Sequence, residues 1–317
     1  MQKPITIASR QSPLAVAQAE LVRAMLATAA GTDKEAWEQA FPIKTYITQG
    51  DRNLKDSLSE VGGKGLFVKE IEAALLTGEA DIAVHSMKDM PAMMPEGLVQ
   101  AAVPPREDPR DAFLTLDGRS IEDLAEGATV GTSSVRRAAQ LRRRRPDLNI
   151  VPFRGNVQTR LQKLQDGVAE GTFLAEAGLR RLGRTDVQRQ PIDPSLMLPA
   201  LGQGLLCIQT REGESEAHTL CRAIACEETE LLSAIERAFL ARLDGSCRTP
   251  MAGLAVKEGD AIHFRAEILH PEGTMVETFD ETLNLADPTA AAQAGVDAAE
   301  QLLARASDEL KEVIHHG

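Results

Sequence analysis

The stretch GTSSVRRAAQLRRRRPDLNIVPFRGNVQTR, residues 131–160, is the most informative part of the sequence. A short apolar run, Ala128–Val130, precedes it, and a second, Asn149–Phe153, lies within it. Each run is typical of a buried strand, and each is followed by a residue that favours the N-cap of a helix, Ser134 and Asn156 respectively. Strands that alternate with helices predict an open α/β sheet.

The same stretch carries eight arginines and one acid, although the formal net charge of the chain is −12. Positive charge concentrated in an acidic chain indicates an anionic partner, and guanidinium groups pair with carboxylate or phosphate in a bidentate manner. Four of the arginines follow a strand end at the start of a helix, where open α/β sheets hold anions. These four are Arg136, Arg137, Arg154 and Arg160.

The other four arginines, Arg142–Arg145, are predicted to end the first helix, where cations complement the helix dipole and face water. A run of four arginines could also bind nucleic acid, which is therefore an alternative partner. The acidic net charge and an aromatic content of 3% argue against that alternative.

Length and composition bound the class of protein. A chain of 317 residues is expected to form two or three domains. The start MQKPITIASRQSP has no apolar signal region and no run of eighteen apolar residues occurs, so we expect a cytoplasmic protein without membrane contact. The four cysteines form no Cys-x-x-Cys pair, which predicts reduced thiols and no metal site.

The amino-terminal part repeats the strand–helix alternation. Strands are predicted at Ile5–Ala8, Ile43–Ile47, Asp81–His85 and Leu98–Val103, and helices at Leu14–Thr28 and Leu66–Thr77. Arg10 and Ser12 fall in the first strand-to-helix loop. Lys88 and Asp89 follow a strand end, where α/β proteins keep their chemistry, and Lys64 lies in a polar loop that we expect to act as a lid.

The pattern predicts two α/β lobes of the periplasmic-binding-protein type with a cleft between them, and a smaller α+β domain. The first lobe takes residues 1–104 and 203–224, the second 110–198, and the third domain 227–317. In the third domain we expect a helix at Thr229–Leu243, a three-stranded antiparallel meander, and a closing helix at Thr289–Val313.

Cys207 lies in a predicted apolar strand, and Cys221 and Cys226 lie on predicted helical stretches, so all three are expected to be small buried hydrophobic residues. Cys247 differs from them because it lies on a Gly-Ser turn beside Arg248. A neighbouring cation lowers the pKa of a thiol and favours the thiolate. An accidental loop cysteine is an equally good interpretation of the residues alone. No histidine is near in sequence, so a cysteine-protease arrangement has no support.

Nine sequence blocks in register resemble those of the porphobilinogen deaminase family, from Ile5 to about Pro250. The blocks are ASRQSPLA, VGGKGLFVKEIE, DIAVHSMKDMP, REDPRDAF, VGTSSVRRAAQL, RRPDLNIVPFRGNVQTRLQKL, AGLRRLG, LPALGQG and GSCRTP. Any single block is weak, but nine in the family's order are specific. The carboxyl-terminal domain shows a weaker resemblance.

The resemblance implies an enzyme, a transferase of tetrapyrrole biosynthesis. It would join four porphobilinogen molecules head to tail, release four ammonia molecules, and hydrolyse the product off as hydroxymethylbilane. The chain would grow on a dipyrromethane cofactor held by a thioether to Cys247, and Asp89 would stabilise positive charge on the pyrrole nitrogens. The residues implied to bind cofactor are Lys88, Asp89, Ser133, Ser134, Arg136, Arg137, Arg154 and Gly155; those implied to bind substrate are Arg10, Ser12, Lys64, Arg154, Arg160 and Arg181.

Four residues depart from what is common in the family: Gln49, Glu60, Gly171 and Glu176. An acid at position 176 would either weaken anion binding or point away from the site. The main alternative function is a non-enzymatic, two-lobed anion-binding protein of the periplasmic type, against which stand the missing signal peptide, the third domain and Cys247. We expect a monomer, because no coiled coil or large apolar stripe is evident.

Overall fold

The computed structural model describes residues 3–52, 65–243, 249–285 and 287–316. Within them, contacts divide the chain into two compact units. The first unit comprises residues 3–52, 65–107 and 205–230, and the second comprises 108–204 together with the described residues from 231 onward. The division into three domains stays a prediction.

The described residues form thirteen strands and eleven α-helices. The strands are β1 Ile7–Arg10, β2 Ile43–Tyr46, β3 Ile82–Ser86, β4 Leu98–Ala102, β5 Asp111–Thr115, β6 Thr129–Gly131, β7 Asn149–Val151, β8 Gly171–Ala175, β9 Gln190–Pro191, β10 Leu206–Arg211, β11 Met251–Glu258, β12 Ala261–Leu269 and β13 Val276–Leu283. The helices are α1 Pro13–Ala29, α2 Trp37–Ala40, α3 Gln49–Arg52, α4 Lys69–Leu76, α5 Val135–Arg144, α6 Val157–Gln165, α7 Glu176–Arg181, α8 Glu216–Ala223, α9 Glu227–Arg242, α10 Pro288–Arg305 and α11 Asp308–His316. Among the described helices, none combines the length and apolarity needed to cross a bilayer.

The first unit is built on a five-stranded sheet of order β2-β1-β3-β10-β4. Strand β1 runs parallel to β2 and β3, so the carboxyl ends of these strands meet at one edge, while β10 is antiparallel to both of its neighbours. Helix α1 starts where predicted, because Ser12 accepts a hydrogen bond from the backbone N–H of Ala15 and Pro13 occupies the first helical position. Its buried face packs against the sheet.

The second unit contains another five-stranded sheet, of order β7-β6-β8-β5-β9. The two helices predicted after its strands begin at the expected residues: Ser134 caps α5, and Asn156 caps α6 by accepting from the N–H of Thr159. Phe113 and Phe173 pack across β5 and β8 with their ring centroids 5.1 Å apart. The strand–helix alternation therefore positions both arginine-bearing helix starts at the carboxyl ends of β6 and β7.

The same unit also holds the antiparallel meander β11-β12-β13. Alternate residues of β12 are buried against α9 and α10, among them Phe264, whose ring centroid lies 5.6 Å from that of Phe239. Gly295 lets α10 approach α9, because a Cβ added there would lie 2.2 Å from the carbonyl oxygen of Ile235. The predicted α/β class with a carboxyl-terminal antiparallel sheet is confirmed.

Three local predictions were wrong. The closing helix is two helices, because the chain turns at Ala306 and Ser307 accepts from the N–H of Leu310 to begin α11. Arg145 does not face water; it donates to the backbone carbonyls of Ile121 and Leu124 and to Asp147. Cys226 lies in the loop between α8 and α9, half-buried, whereas Cys207 and Cys221 are buried as expected.

Candidate functional site

In the first unit, Asp89 stands at the carboxyl end of a central strand. Strand β3 is buried, and a short 3-10 helix, Met87–Asp89, follows it and brings Lys88 and Asp89 to the edge of the sheet. The Asp89 side chain is 35% exposed, and its Oδ2 lies 3.9 Å from Nη1 of Arg10 at the end of β1. Together with Ser12 and Ser86 they line a small cavity of about 50 Å³. The structure thus brings three predicted site residues, Arg10, Ser12 and Asp89, to one pocket.

Arg10 is fixed in this pocket by partners that the sequence analysis did not assign. Its Nε and Nη2 donate to the two carboxylate oxygens of Asp51, and its guanidinium carbon lies 4.3 Å from the ring centroid of Phe67. Burial alone would raise the pKa of Asp51, but hydrogen bonds from Arg10 and Thr48 outweigh it and hold this pKa below its ordinary value. Asp51 therefore stays ionised and orients Arg10.

His85 contributes a neutral imidazole to the wall of the same pocket. Its Nε2 lies 3.1 Å from Oε1 of Gln209, whose amide nitrogen donates to Glu72. Because a carboxylate only accepts, Gln209 must turn its oxygen to His85, and Nε2 of His85 carries the proton. Burial lowers the pKa of His85 to about 4, with a smaller contribution from the nearby charge of Arg10.

In the second unit, Arg136 and Arg137 share one buried carboxylate. Asp111 is fully buried at the start of β5, and it accepts from Nη1 of Arg136 and from Nη2 of Arg137, both at 2.7 Å. Gln203 donates to the same carboxylate at 2.9 Å. Burial would raise the pKa of Asp111, but the two arginines outweigh it and hold this pKa well below its usual range.

The two arginines differ in how much of each guanidinium is left for a ligand. Every nitrogen of the Arg137 guanidinium is engaged, with Nε and Nη2 on Asp111 and Nη1 on the carbonyl oxygen of Phe173. Arg136 uses only Nη1, which donates to Asp111 and to the carbonyl oxygen of Leu198. Within the described residues, Nε and Nη2 of Arg136 have no hydrogen-bond acceptor, and its side chain is 6% exposed.

Arg160 is a predicted site cation whose surroundings disfavour its charge. Its Nε donates to the carbonyl oxygen of Gly155, and no carboxylate among the described residues pairs with it. Burial, followed by repulsion from Arg137 and Arg154, lowers the pKa of Arg160 to about 10. A half-buried cation that is repelled by its neighbours is a ready site for an anion.

The remaining predicted residues of the second unit hold the loops around these cations. Ser133 accepts from the N–H of Phe153 at 2.8 Å, and Ser134 caps α5. Gly155 has φ +120°, a conformation that L side chains rarely adopt, and a Cβ there would lie 2.6 Å from the Thr159 side chain. Arg181 donates to the carbonyl oxygen of Gly204 at 2.7 Å.

Two predicted residues, Lys64 and Cys247, lie outside the described residues, as does the departure Glu60. The departure Glu176 is 2% exposed and bonded to Arg180 and Arg189. Burial would raise its pKa, but hydrogen bonds from these two arginines outweigh it and lower this pKa. The negative charge of Glu176 is therefore balanced by Arg180 and Arg189. No cluster of potential metal ligands occurs in the described ranges.

Two carboxylates that orient the site arginines, Asp111 and Asp51, were not predicted from the sequence. Asp111 did leave a signal, because it is the one charged residue of the strand Asp111–Thr115. A charge in a buried strand must be paired, and the excess of arginine nearby supplied the partner. Asp51 left none, since it lies in a polar stretch of the sequence, which folds as the one-turn helix α3.

Comparison with known proteins places the chain in one family. The family model for the porphobilinogen deaminase, dipyromethane cofactor binding domain matches residues 5–219. The model for the porphobilinogen deaminase, C-terminal domain matches residues 231–304.

One similar protein is the porphobilinogen deaminase of Paracoccus denitrificans, which is 52% identical over 305 residues, covering 96% of this chain and 95% of the relative. Solved structures show only distant similarity. The VFT2 domain of Bordetella pertussis BvgS matches with a TM-score of 0.40 and 16% identity, over 70% of this chain and 85% of that chain. A second substrate binding domain of a putative amino acid ABC transporter from Streptococcus pneumoniae matches with a TM-score of 0.42 and 14% identity, over 69% and 91%. The family models and the Paracoccus relative span nearly the whole sequence, and the chain belongs to the porphobilinogen deaminase family.

Proposed function

We propose that this chain is a transferase that joins four porphobilinogen molecules head to tail on a bound dipyrromethane, with release of four ammonia molecules and of linear hydroxymethylbilane. The family match over residues 5–219 and 231–304 supports this activity, as does the relative at 52% identity. The cofactor that the family model names is dipyrromethane.

The second-unit cations fit such a group. Each pyrrole ring of the substrate and of dipyrromethane carries two carboxylates, so the growing chain is a polyanion. The observation that carries the proposal is Arg160, a half-buried guanidinium with no carboxylate partner among the described residues and a pKa lowered to about 10. A ligand carboxylate there would offset the repulsion from Arg137 and Arg154.

We assign the carboxylate-binding role to the open guanidinium groups and a supporting role to the paired ones. Arg136 and Arg160 have donors to offer, and each charge-assisted hydrogen bond contributes about 1.5–3 kcal/mol. Arg137 adds charge, but its nitrogens hold Asp111 and Phe173. The other binding residues of this proposal are Arg10, Ser12, Lys64, Lys88, Ser133, Ser134, Arg154, Gly155 and Arg181.

Asp89 is the proposed catalytic residue, and its carboxylate would act by offsetting positive charge on the reacting pyrrole. Dipyrromethane, when bound, supplies the pyrrole carbon to which the first substrate is joined. Loss of ammonia from porphobilinogen leaves positive charge on a pyrrole that must react with that carbon. The partly exposed carboxylate of Asp89 can offset this charge where it is greatest, in the transition state.

We also propose how dipyrromethane is attached and in what setting the protein acts. Cys247 would form the thioether to dipyrromethane, since a thiol beside Arg248 is favoured as thiolate. The protein would act as a cytoplasmic monomer, with porphobilinogen as its partner and neither nucleic acid nor membrane.

The intact mass of the purified protein tests this function. The mass should exceed that of the sequence by one dipyrromethane, the adduct should react with Ehrlich's reagent, and porphobilinogen should be consumed with release of ammonia. An anion-binding receptor or a nucleic-acid-binding protein would show none of the three. A bare Cys247 thiol in fully active protein would exclude the attachment.

Replacing Asp89 tests its role separately. Asp89→Asn should retain the added mass but lose nearly all turnover, because the amide cannot offset a cation. Asp33→Asn, which changes an exposed acid of the same unit, is the matched control and should be fully active. Near-normal turnover of purified Asp89→Asn would refute the catalytic role.

A further inference from the structure

Residues 198–204, with the sequence LPALGQG, join the arginine helix α5 to the carboxyl-terminal sheet within the second unit. On the side of α5, the carbonyl oxygen of Leu198 accepts from Arg136 at 2.7 Å and from Gln140 at 2.9 Å. On the side of the sheet, the carbonyl oxygen of the following proline accepts from the N–H of Gly253 on β11 at 3.0 Å. Direct hydrogen bonds therefore hold this connecting segment to both parts of the unit.

Gln203 is the polar side chain of the connecting segment, and its amide reaches the carboxylate that the two arginines share. It is 1% exposed, and its Nε2 donates to Oδ1 of Asp111 at 2.9 Å and to the carbonyl oxygen of Pro109 at 2.8 Å. The same Oδ1 accepts from Nε and Nη2 of Arg137, while Oδ2 accepts from Nη1 of Arg136. Among the described residues, the amide is thus a third donor group on this carboxylate, and it restricts the rotation of the carboxylate between the two guanidinium groups.

A second buried carboxylate, Glu236 on α9, fixes the backbone beside Gln203. Glu236 is 0% exposed; its Oε2 accepts from the N–H of Gly202 at 2.6 Å, and its Oε1 accepts from the N–H of Ala255 on β11 at 2.9 Å. Gly202 has φ +75°, a conformation that glycine adopts without strain. The carboxyl-terminal part of the unit therefore determines where the Gln203 side chain begins.

We infer that Gln203 is a positioning residue for carboxylate binding: it fixes Asp111 and thereby directs the two guanidinium groups that Asp111 holds. The inference rests on the proposed function, in which Arg136 binds carboxylates of the pyrrole chain. Without Gln203, both arginines still pair with Asp111, so the direction of the guanidinium groups changes and their charge does not. A binding group must be held within about 0.5 Å of its productive position, so a small rotation is enough to weaken binding.

Gln203→Met tests this role, because methionine has a similar length but no hydrogen-bond donor. In enzyme matched for the added dipyrromethane mass, KM for porphobilinogen should rise about tenfold while kcat changes less than about twofold, the pattern of lost binding. Tenfold corresponds to about 1.4 kcal/mol, close to the least that a hydrogen bond to a charged group contributes.

Gln140→Met is the matched control. Gln140 is also a buried glutamine whose Nε2 donates to the connecting segment, but it bonds to Leu198 and not to Asp111. The two methionine variants should lose stability to a similar extent, since each loses a buried amide donor. Only Gln203→Met should raise KM, which separates positioning of the carboxylate from support of the segment.

Hydrogen exchange at Nε of Arg137 gives a readout that does not depend on activity. In protein with isotope-labelled arginine this proton should be protected, because Nε lies 3.2 Å from Oδ1 of Asp111 and the residue is 5% exposed. Its resonance is assigned by its absence from Arg137→Lys. Exchange should be about tenfold faster in Gln203→Met, since opening of this contact costs less, and unchanged in Gln140→Met.

Equal KM values for the two methionine variants would overturn the inference, although product formation would leave the proposed function intact. If Gln203→Met does not fold, Gln203→Asn decides, since its amide is one methylene shorter and falls short of Asp111; an unmodified KM in this variant also overturns the inference. Absence of any product from the unmodified protein would instead contradict the proposed function. The exchange rates would then decide alone whether Gln203 positions the arginine pair.

Discussion

At the scale of single residues, the role of each arginine depends on its partners more than on its place in the sequence. Arg137 and Arg160 both lie near a helix start. The guanidinium of Arg137 donates all its hydrogen bonds to Asp111 and to the carbonyl oxygen of Phe173, whereas Arg160 has no carboxylate partner among the described residues. Counting arginines thus overestimates the donors that a ligand can use. The partners decide which guanidinium is structural and which can bind.

Replacing Arg160 should weaken substrate binding without harming the fold. In Arg160→Gln we expect KM for porphobilinogen to rise about 10- to 100-fold, the loss of one or two charge-assisted hydrogen bonds. The urea midpoint should stay or increase, because a cation with a depressed pKa is removed. Arg144→Gln, which removes an exposed arginine paired with Glu122, should leave KM unchanged. An unchanged KM in Arg160→Gln would contradict the assignment.

The buried imidazole of His85 should make the protein sensitive to mild acid. Its pKa is about 4 in the folded state and 6.5 in the unfolded state, so the unfolded chain binds the proton more readily. This contribution to stability is complete above pH 6.5 and is lost at about 1.4 kcal/mol per pH unit as the pH falls towards 4. Urea unfolding from pH 7.5 to pH 4.5 measures it. His85→Gln should show a shallower decline, and an identical slope in both proteins would argue against the effect.

At the scale of secondary-structure elements, local capping signals determined where the helices begin. Ser12, Ser134 and Asn156 each accept from a backbone N–H in the first turn of the helix that they start. The break between α10 and α11 follows the same rule, with Ser307 as the cap. It escaped prediction because residues that favour helix lie on both sides of the break, alanines before it and Glu309–Glu312 after it.

The approach of α10 to α9 should not tolerate a side chain at Gly295. Gly295→Val should destabilise the protein by about 1–3 kcal/mol or more, because its Cβ would meet the backbone of Ile235 and cannot be relieved by a rotamer change. Urea denaturation of the purified variant measures this. Gln293→Ala, on the exposed face of the same helix, should stay within about 0.5 kcal/mol of the unmodified protein. Equal midpoints for the two variants would contradict the packing described.

At the scale of the whole molecule, an acidic chain carries a local cluster of cations, because folding gathers arginines from different parts of the sequence. The net charge is −12, yet the loops after β6 and β7 collect cations and leave Asp111 as the carboxylate bonded to Arg136 and Arg137. An acidic chain stays soluble and repels other copies of itself, while a local basic site holds its anionic ligand.

A monomer is therefore the expected form in solution. Light scattering of the purified protein at micromolar concentration should give about 34.2 kDa plus the mass of the bound cofactor. The value should not depend on protein concentration over a tenfold range. Twice this mass at the lowest concentration would show a dimer and would refute the expectation.

The succession of strands and helices, the antiparallel carboxyl-terminal sheet and the family could all be predicted from the amino-acid sequence. Those features depend on local patterns: apolar runs, capping residues and blocks of residues in a fixed order. The tertiary structure alone decided that Asp51 orients Arg10 and that Asp111 joins Arg136 to Arg137. These contacts join residues distant in sequence, and burial sets their energies, because a charge that loses water must find a partner or change its pKa. No local pattern in the sequence states which partner that will be.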